Sequence, residues 1–392
     1  MIRPLQPRSR SNDGSVLIVV MVVCLALVSL VLIFGGSMLT AWRGKENALA
    51  GHQADAAICG AARYAEVLFT NVDREGGMPE NFESENISIG EARVWFIAEP
   101  GDPPVFGLTD EASKLNLNTA TREMLMQLPG MTENIANAVI NWRYNGQTAD
   151  IQATVVTEGP VKRAPFESVD ELALVVSGTD QELIAPWRDH LTVFSREPVE
   201  GRVNVTQPNA LTPLLTQQFG EARANEITAQ LRNQNINSVL AFYIRGRLTP
   251  QELDAIGPQL TAVSGSFAPG LVNANTAGTT VLACIPGIGA VKADQLVKAR
   301  QSQSTAAKNL AWVVPILGEA DALTAGPHLT ANAYQLSVDA AAVGRHGRGY
   351  RRARFVIDKT TDTPKLIYRR NLAPLGWALG DEVRQQLAEP EE

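Results

Sequence analysis

The sequence predicts an α+β protein with a long N-terminal helix, a small antiparallel β-sheet and a large α-helical region inserted between the strands. Three observations predict it. Residues 15–40 carry no charged side chain. A helical block with internal repeats fills the middle of the chain. Stretches of period-two alternation flank that block on both sides. The expected divisions are a leader over 1–14, an N-terminal helix over 15–70 with its span at 15–41, and first strands over 71–112. The helical insertion covers 113–333, closing strands 334–380 and a charged, mobile tail 381–392.

The chain has 392 residues, 45% hydrophobic and 19% charged, enough for sizeable cores in more than one domain. Its net charge of −7 argues against a body built to bind nucleic acid, because phosphate contacts need an excess of Lys and Arg.

Arg3, Arg8 and Arg10 precede the apolar run. As a helix that run is about 39 Å long, against a hydrocarbon core of about 30 Å. It is too long for the apolar core of a secretory signal and apolar on too many faces for a buried helix. The arginines favour an inside N-terminus, which places the body outside. Trp42 and Arg43 suit the interface beyond the span. The helix continues, with Ala48, Leu49, Ala54, Ala57, Ile58, Ala61, Ala62, Ala65 and Leu68 at helical spacing.

Three cysteines stand apart, with no CxxC and no nearby His, which excludes a zinc or redox motif. Cys24 lies in the apolar run. For the other two, a Cys59–Cys284 disulfide is one alternative and two unpaired thiols on apolar helical faces the other.

Ile87 to Ala98 reads as a strand or hairpin, with Val94, Phe96 and Ala98 alternating against Arg93 and Trp95. Acidic residues gather around it: Glu80, Glu83, Glu85, Glu99, Asp102, Asp110 and Glu111. Such a loop can hold calcium, but no EF-hand spacing is present and a solvated face explains it as well.

The repeat is carried by equal spacings. Leu115-Asn116-Leu117-Asn118-Thr119-Ala120 recurs as Val272-Asn273-Ala274-Asn275-Thr276-Ala277. Pro129-Gly130 and Pro286-Gly287 each begin 13 residues after the leading Asn, and Arg143 and Arg300 each follow it by 27. A weaker copy opens at Val203-Asn204 and runs to Arg232, with Phe219-Gly220 where Pro-Gly is expected. Every copy closes on Leu-Thr, at Leu191-Thr192, Leu260-Thr261 and Leu329-Thr330, so the units are 113–195, 201–265 and 270–333. The first copy is longer, and the polar stretch from Tyr144 to Pro165 is the expected surface loop.

Each core is a helix–hairpin–helix. Asn118-Thr119 or Asn275-Thr276 caps the start, and Met124, Leu125 and Leu128, or Val281, Leu282 and Ile285, supply one apolar face. Leu-Pro-Gly or Ile-Pro-Gly then breaks the helix where Gly accepts positive φ. Ile135, Ala136, Val139 and Ile140 form the second face, matched by Val291, Ala293, Leu296 and Val297.

Such a turn can offer backbone N–H groups to a phosphate. Pro286-Gly287-Ile288-Gly289, with Lys292 and Lys298, suits that role; Thr132 and Glu133 spoil it in the first copy. Packing is the competing reading. Tyr334 to Ala341, Tyr350 to Ile357 and Lys365 to Arg370 read as the closing strands, with Asp358 to Asp362 as the last hairpin loop. The basic run Arg345, Arg348, Arg351, Arg352 and Arg354 is either a charged strand edge or a phosphate contact. His190 and His328 hold matching places before Leu-Thr, as repeat inheritance explains. No Walker loop, Rossmann fingerprint or catalytic triad stands out, so nothing points to an enzyme.

The charged leader, Gly14 and the apolar helix resemble type IV prepilins, which a peptidase cuts after the Gly; here the cut falls between Gly14 and Ser15. Most pilins have Glu as the fifth mature residue, where this chain has Val19. Together with Asp110-Glu111-Ala112-Ser113-Lys114-Leu115-Asn116-Leu117-Asn118-Thr119-Ala120, Leu366-Ile367-Tyr368-Arg369-Arg370 and Leu375-Gly376-Trp377, these features resemble general secretion pathway protein K. That family comprises the large minor pseudopilins of type II secretion systems, and the likeness runs over nearly the whole chain. It implies a pilin-like sheet interrupted by helix–hairpin–helix (SAM-like) units and a non-enzymatic role. It implies peptidase processing and methylation, an inner-membrane anchor and a periplasmic body. It also implies partnership with other minor pseudopilins at the pseudopilus tip. A membrane-anchored DNA receptor of the competence type shares Asn-x-Asn-Thr-Ala and the Pro-Gly turn. That family is short, basic and built on one hairpin unit, so the acidic balance and closing strands here favour the pseudopilin.

Overall fold

The computed structural model describes residues 13–72, 76–99, 101–143, 162–176, 182, 184–302, 309–361 and 363–388. The leader before Asp13, most of the expected surface loop, Asp362 and the last four residues lie outside them.

Helix α1 runs unbroken over Asp13–Thr70. Ala50, Ala54, Ala57, Ile58, Ala61, Ala65 and Phe69 are buried at helical spacing, while Ala48 and Leu49, expected on that face, point to solvent. The small side chains let the helix lie close to its sheet. At Gly344 an added Cβ would sit 2.3 Å from the Ala50 carbonyl oxygen.

The sheet is assembled from both sides of the insertion. Strands β1 (Ile87–Ile89), β2 (Ala92–Glu99), β3 (Val105–Phe106) and β4 (Thr109–Asp110) precede it. In the insertion, β5 (Leu115–Asn116), α2 (Arg122–Leu125), α3 (Glu133–Arg143), α4 (Leu172–Val175), α5 (Ile184–Trp187) and β6 (Leu191–Thr192) make the first unit. After β7 (Arg196–Pro198) come β8 (Val203–Asn204), α6 (Pro208–Leu231), α7 (Val239–Arg245), α8 (Pro250–Ile256) and β9 (Leu260–Thr261) of the second. After β10 (Phe267–Pro269) come β11 (Val272–Asn273), α9 (Thr279–Ala283), α10 (Gly289–Ser302), α11 (Val314–Leu317), α12 (Glu319–Ala325) and β12 (Leu329–Thr330) of the third. The chain then returns through β13 (Gln335–Gly344), β14 (Arg348–Asp358) and β15 (Lys365–Asn371), and ends in α13 (Gly380–Ala388).

The order β1-β2-β13-β14-β15 is antiparallel throughout, with β3 added on β2 and β4 on β13. Val94 and Phe96 of β2, Leu336, Val338 and Ala340 of β13 and Phe355 and Ile357 of β14 pack on α1. Trp95, Ile97, Ala341 and Val343 turn to the other face, where Leu379 and Val383 cover them. The expected tail is therefore a helix up to Ala388. Val383 and Leu387 stand one turn apart and supply the apolar face that Trp95 requires, although the segment's charge disguises it.

The closing Leu-Thr of each unit has a physical role. It pairs in parallel with the opening residues, as Leu115↔Leu191, Val203↔Leu260 and Val272↔Leu329. The leading Asn then turns back on itself: the Oδ1 atoms of Asn116, Asn204 and Asn273 accept from the backbone N–H two residues on, at 2.9, 2.9 and 3.0 Å. The threonine does the same at the far end, where Thr192, Thr261 and Thr330 accept from Phe194, Val263 and Asn332. In two units an arginine holds the start. Arg143 reaches the carbonyls of Leu117 and Ala120, and Arg300 those of Ala274 and Ala277 at 3.0 and 2.9 Å. The second unit closes without this arginine around a core of its own, whereas the first and third share one continuous core.

Candidate functional site

The N-terminal half of α1 is bare among the described residues. Every side chain from Val16 to Lys45 is exposed, and those from Val16 to Thr40 are uncharged. That stretch is about 38 Å of helix, longer than the roughly 30 Å hydrocarbon core. Gly14 and Ser15 lie in the first turn of α1, and Val19 is exposed. Cys24 and Cys59 are exposed and unpaired on this helix. Cys284 is buried at the end of α9 with its thiol pushed up to about 12 by burial, so Cys59 and Cys284 form no disulfide.

The hairpin turns are joints inside the insertion. Gly130 has φ 73° and Gly287 φ 83°, and Gly220 of the degenerate copy keeps φ 82°. The Trp187 indole of α5 donates to the Pro129 carbonyl at 2.8 Å. Behind Pro286, Gly287 packs under α12, where a Cβ would come within 2.8 Å of the Asp321 carbonyl. Gly289, φ 67°, opens α10. Lys292 donates to the Leu317 carbonyl at 2.8 Å and pairs with Asp321; Lys298 pairs with Asp294 at 2.6 Å. Both lysines singled out for phosphate thus already hold carboxylates.

The acidic cluster divides. Glu80, Glu83, Glu85, Glu99 and Asp102 are exposed, while Asp110 and Glu111 are buried. Asp110 Oδ2 accepts from Asn273 Nδ2 at 2.8 Å and from the Thr276 hydroxyl at 2.6 Å, and its Oδ1 from the Ala112 N–H at 2.8 Å. Burial outweighs these donors and pushes its carboxyl up to about 7. Glu111 accepts from Lys114 Nζ at 2.8 Å and from the hydroxyls of Thr192 and Ser337. Burial pushes its carboxyl up, but Lys114 and these hydroxyls prevail and hold it below the usual range. Both carboxylates are thus committed to joining the insertion to the sheet. Among the described residues no group of three His, Cys, Asp or Glu is gathered for a metal.

The basic run is structural. Arg348 pairs with Glu46 at 3.0 Å and Arg351 with Asp55 at 2.9 Å, fastening α1 to β14. Arg352 holds buried Asp339 with two hydrogen bonds, at 2.9 and 2.8 Å, and Arg354 adds a third at 3.1 Å. Sequence reasoning missed the first two roles because Glu46 and Asp55 lie about three hundred residues away, and the third because pairing Arg352 with Asp339 requires the register of β13 on β14.

No family model and no curated protein matches the sequence. Among solved structures the chain is similar to one in the crystal structure of the GspK-GspI-GspJ complex of the type 2 secretion system from enterotoxigenic Escherichia coli. Identity is 10% and the TM-score 0.46, with 84% of this chain and 99% of that chain covered.

Proposed function

We propose that the protein is a minor pseudopilin of a type II secretion system, held in the inner membrane by α1 with its body in the periplasm. One observation carries the reading: a single helix is bare and apolar in its first half and backs a sheet with its second, and a helical insertion divides that sheet. A helix of this kind is suited to pack among like helices in a filament while its body stays outside the membrane. The resemblance of the leader and of Asp110 to Ala120 to the pseudopilin K family gives the same class. It assigns other minor pseudopilins as partners and prepilin peptidase as the processing enzyme.

The proposed place is the tip. Val19 removes the carboxylate that most pilins offer to a neighbouring subunit's N-terminus, and the insertion is bulky enough to obstruct a subunit stacked above it. Such a subunit starts or caps the pseudopilus. The test is the N-terminal mass of membrane-extracted protein from cells with and without prepilin peptidase. A chain starting at Ser15 only when the peptidase is present is expected. An uncut chain in both cells overturns the reading.

A further inference from the structure

A small cavity of about 40 Å³ opens between the first helical unit and the sheet. Four cations line it, Lys114, Arg188, Arg354 and Arg370, against two carboxylates, Glu111 and Asp170. Asp170 is shared: its Oδ1 takes Arg188 Nε at 3.0 Å and its Oδ2 takes Arg370 at 2.8 Å. Arg354 gives one nitrogen to Asp339, which the doubly bonded Arg352 already neutralises. The Arg354 Nε is buried and has no acceptor. The lining therefore carries an excess of two positive charges, and the further carboxylate nearby, Asp189, acts on Arg352 behind Arg354. Burying a guanidinium N–H without an acceptor is costly, and native proteins rarely leave one so.

We infer that this cavity binds a small divalent oxyanion, of the sulfate or hydrogen phosphate class. Its two charges match the excess. Its oxygens suit the planar, multiply donating guanidinium groups better than a halide does. The space holds about three water-sized centres, close to the footprint of one tetrahedral oxyanion. A nucleic acid or peptide is too large. Bound there, the anion ties Arg188 of the first unit to Arg354 of β14 and Arg370 of β15, extending the join made by Glu111. The inference stands apart from the pseudopilin reading and rests only on this seam.

The test is calorimetric titration of the full chain in detergent micelles with inorganic phosphate and with sulfate, at constant ionic strength set by chloride. Saturable one-site binding is expected. Arg370→Gln and Arg188→Gln should each weaken it by about tenfold or more, while Arg345→Gln, on the far hairpin, leaves it unchanged. Either arginine can be lost with Asp170 still paired to the other, so the variants should keep the wild-type melting transition. Absence of saturable heat, or equal affinity in both folded variants, would overturn the assignment.

Discussion

Asn273 donates its side-chain amide to the buried Asp110 carboxylate at 2.8 Å, across 163 positions of sequence. Its neighbour Glu111 bonds Thr192 at the end of the first unit and Ser337 of β13. Two adjacent carboxylates, placed where the chain leaves the sheet, thus hold the start of the third unit and the end of the first. The insertion is closed like a loop by the residues that open it.

That join predicts a pH dependence. The Asp110 carboxyl titrates at about 7 in the fold against 3.8 when exposed, so the folded state binds the extra proton between those values. Its contribution is complete below about pH 4 and is lost as pH rises through 7. Glu111, Glu252 and Asp358 act oppositely: their carboxyls are held low, and their contributions are lost as pH falls. The informative quantity is therefore a difference. The stability gap between wild type and Asp110→Asn should narrow steadily from pH 5 to pH 8, followed by urea unfolding; a gap that widens over this range contradicts the assignment.

Two hairpin glycines separate backbone strain from packing. Gly220 has φ 82° and ψ 165°, a backbone region essentially confined to glycine, with open space where a Cβ would stand, so Gly220→Ala should cost about 2 kcal/mol from backbone conformation alone. Gly287 has φ 83°, and its Cβ would press on the Asp321 carbonyl at 2.8 Å. Gly287→Ala should cost about 3 kcal/mol and loosen α12 as well. Amide hydrogen exchange in α12 distinguishes the two, since only the second variant should accelerate it.

The arginine that marks each strong repeat should matter through the carbonyls it covers. Arg300 is half-buried and its pKa is lowered by burial, yet it spans Ala274 and Ala277. Arg300→Met keeps much of the stem's packing but leaves two carbonyls without their donor, an expected loss of about 2–3 kcal/mol. The third unit should then exchange faster than the second, which closes without such an arginine.

What the sequence made legible follows from the range of each interaction. The repeated unit was readable in part, because apolar faces and turn glycines act within some thirty residues. The expected caps were misplaced, since Thr121 rather than Asn118-Thr119 caps α2, and Gly278 opens α9 without a side-chain cap. Val291, expected on the second apolar face, is exposed. The three closing strands and the long helix showed their periods directly. The purpose of Leu-Thr was not readable, because a two-residue parallel ladder between Leu115 and Leu191 leaves no local pattern. The basic run looked like a free edge because Glu46 and Asp55 reach Arg348 and Arg351 from nearly three hundred residues away. The helix at Gly380–Ala388 hid for a compositional reason: its apolar face is narrow amid Asp381, Glu382 and Arg384. Asp110 and Glu111 resembled solvated acids until the fold buried them.

The bare half of α1 yields a prediction that separates anchoring from folding. Val28 sits near the middle of the uncharged stretch and is exposed. Among the described residues every side chain of α1 from Val16 to Lys45 is exposed, and the body first meets the helix where Arg348 pairs with Glu46. A carboxylate at position 28 should therefore leave the body's unfolding transition in detergent unaltered. At the centre of a spanning helix, however, Asp costs about 3 kcal/mol of insertion free energy. Val28→Asp should shift the protein out of the carbonate-resistant membrane fraction, while Ala48→Asp, beyond the span and on the exposed face, should not. Equal membrane retention of both variants would show that this helix is held by protein contacts rather than by lipid.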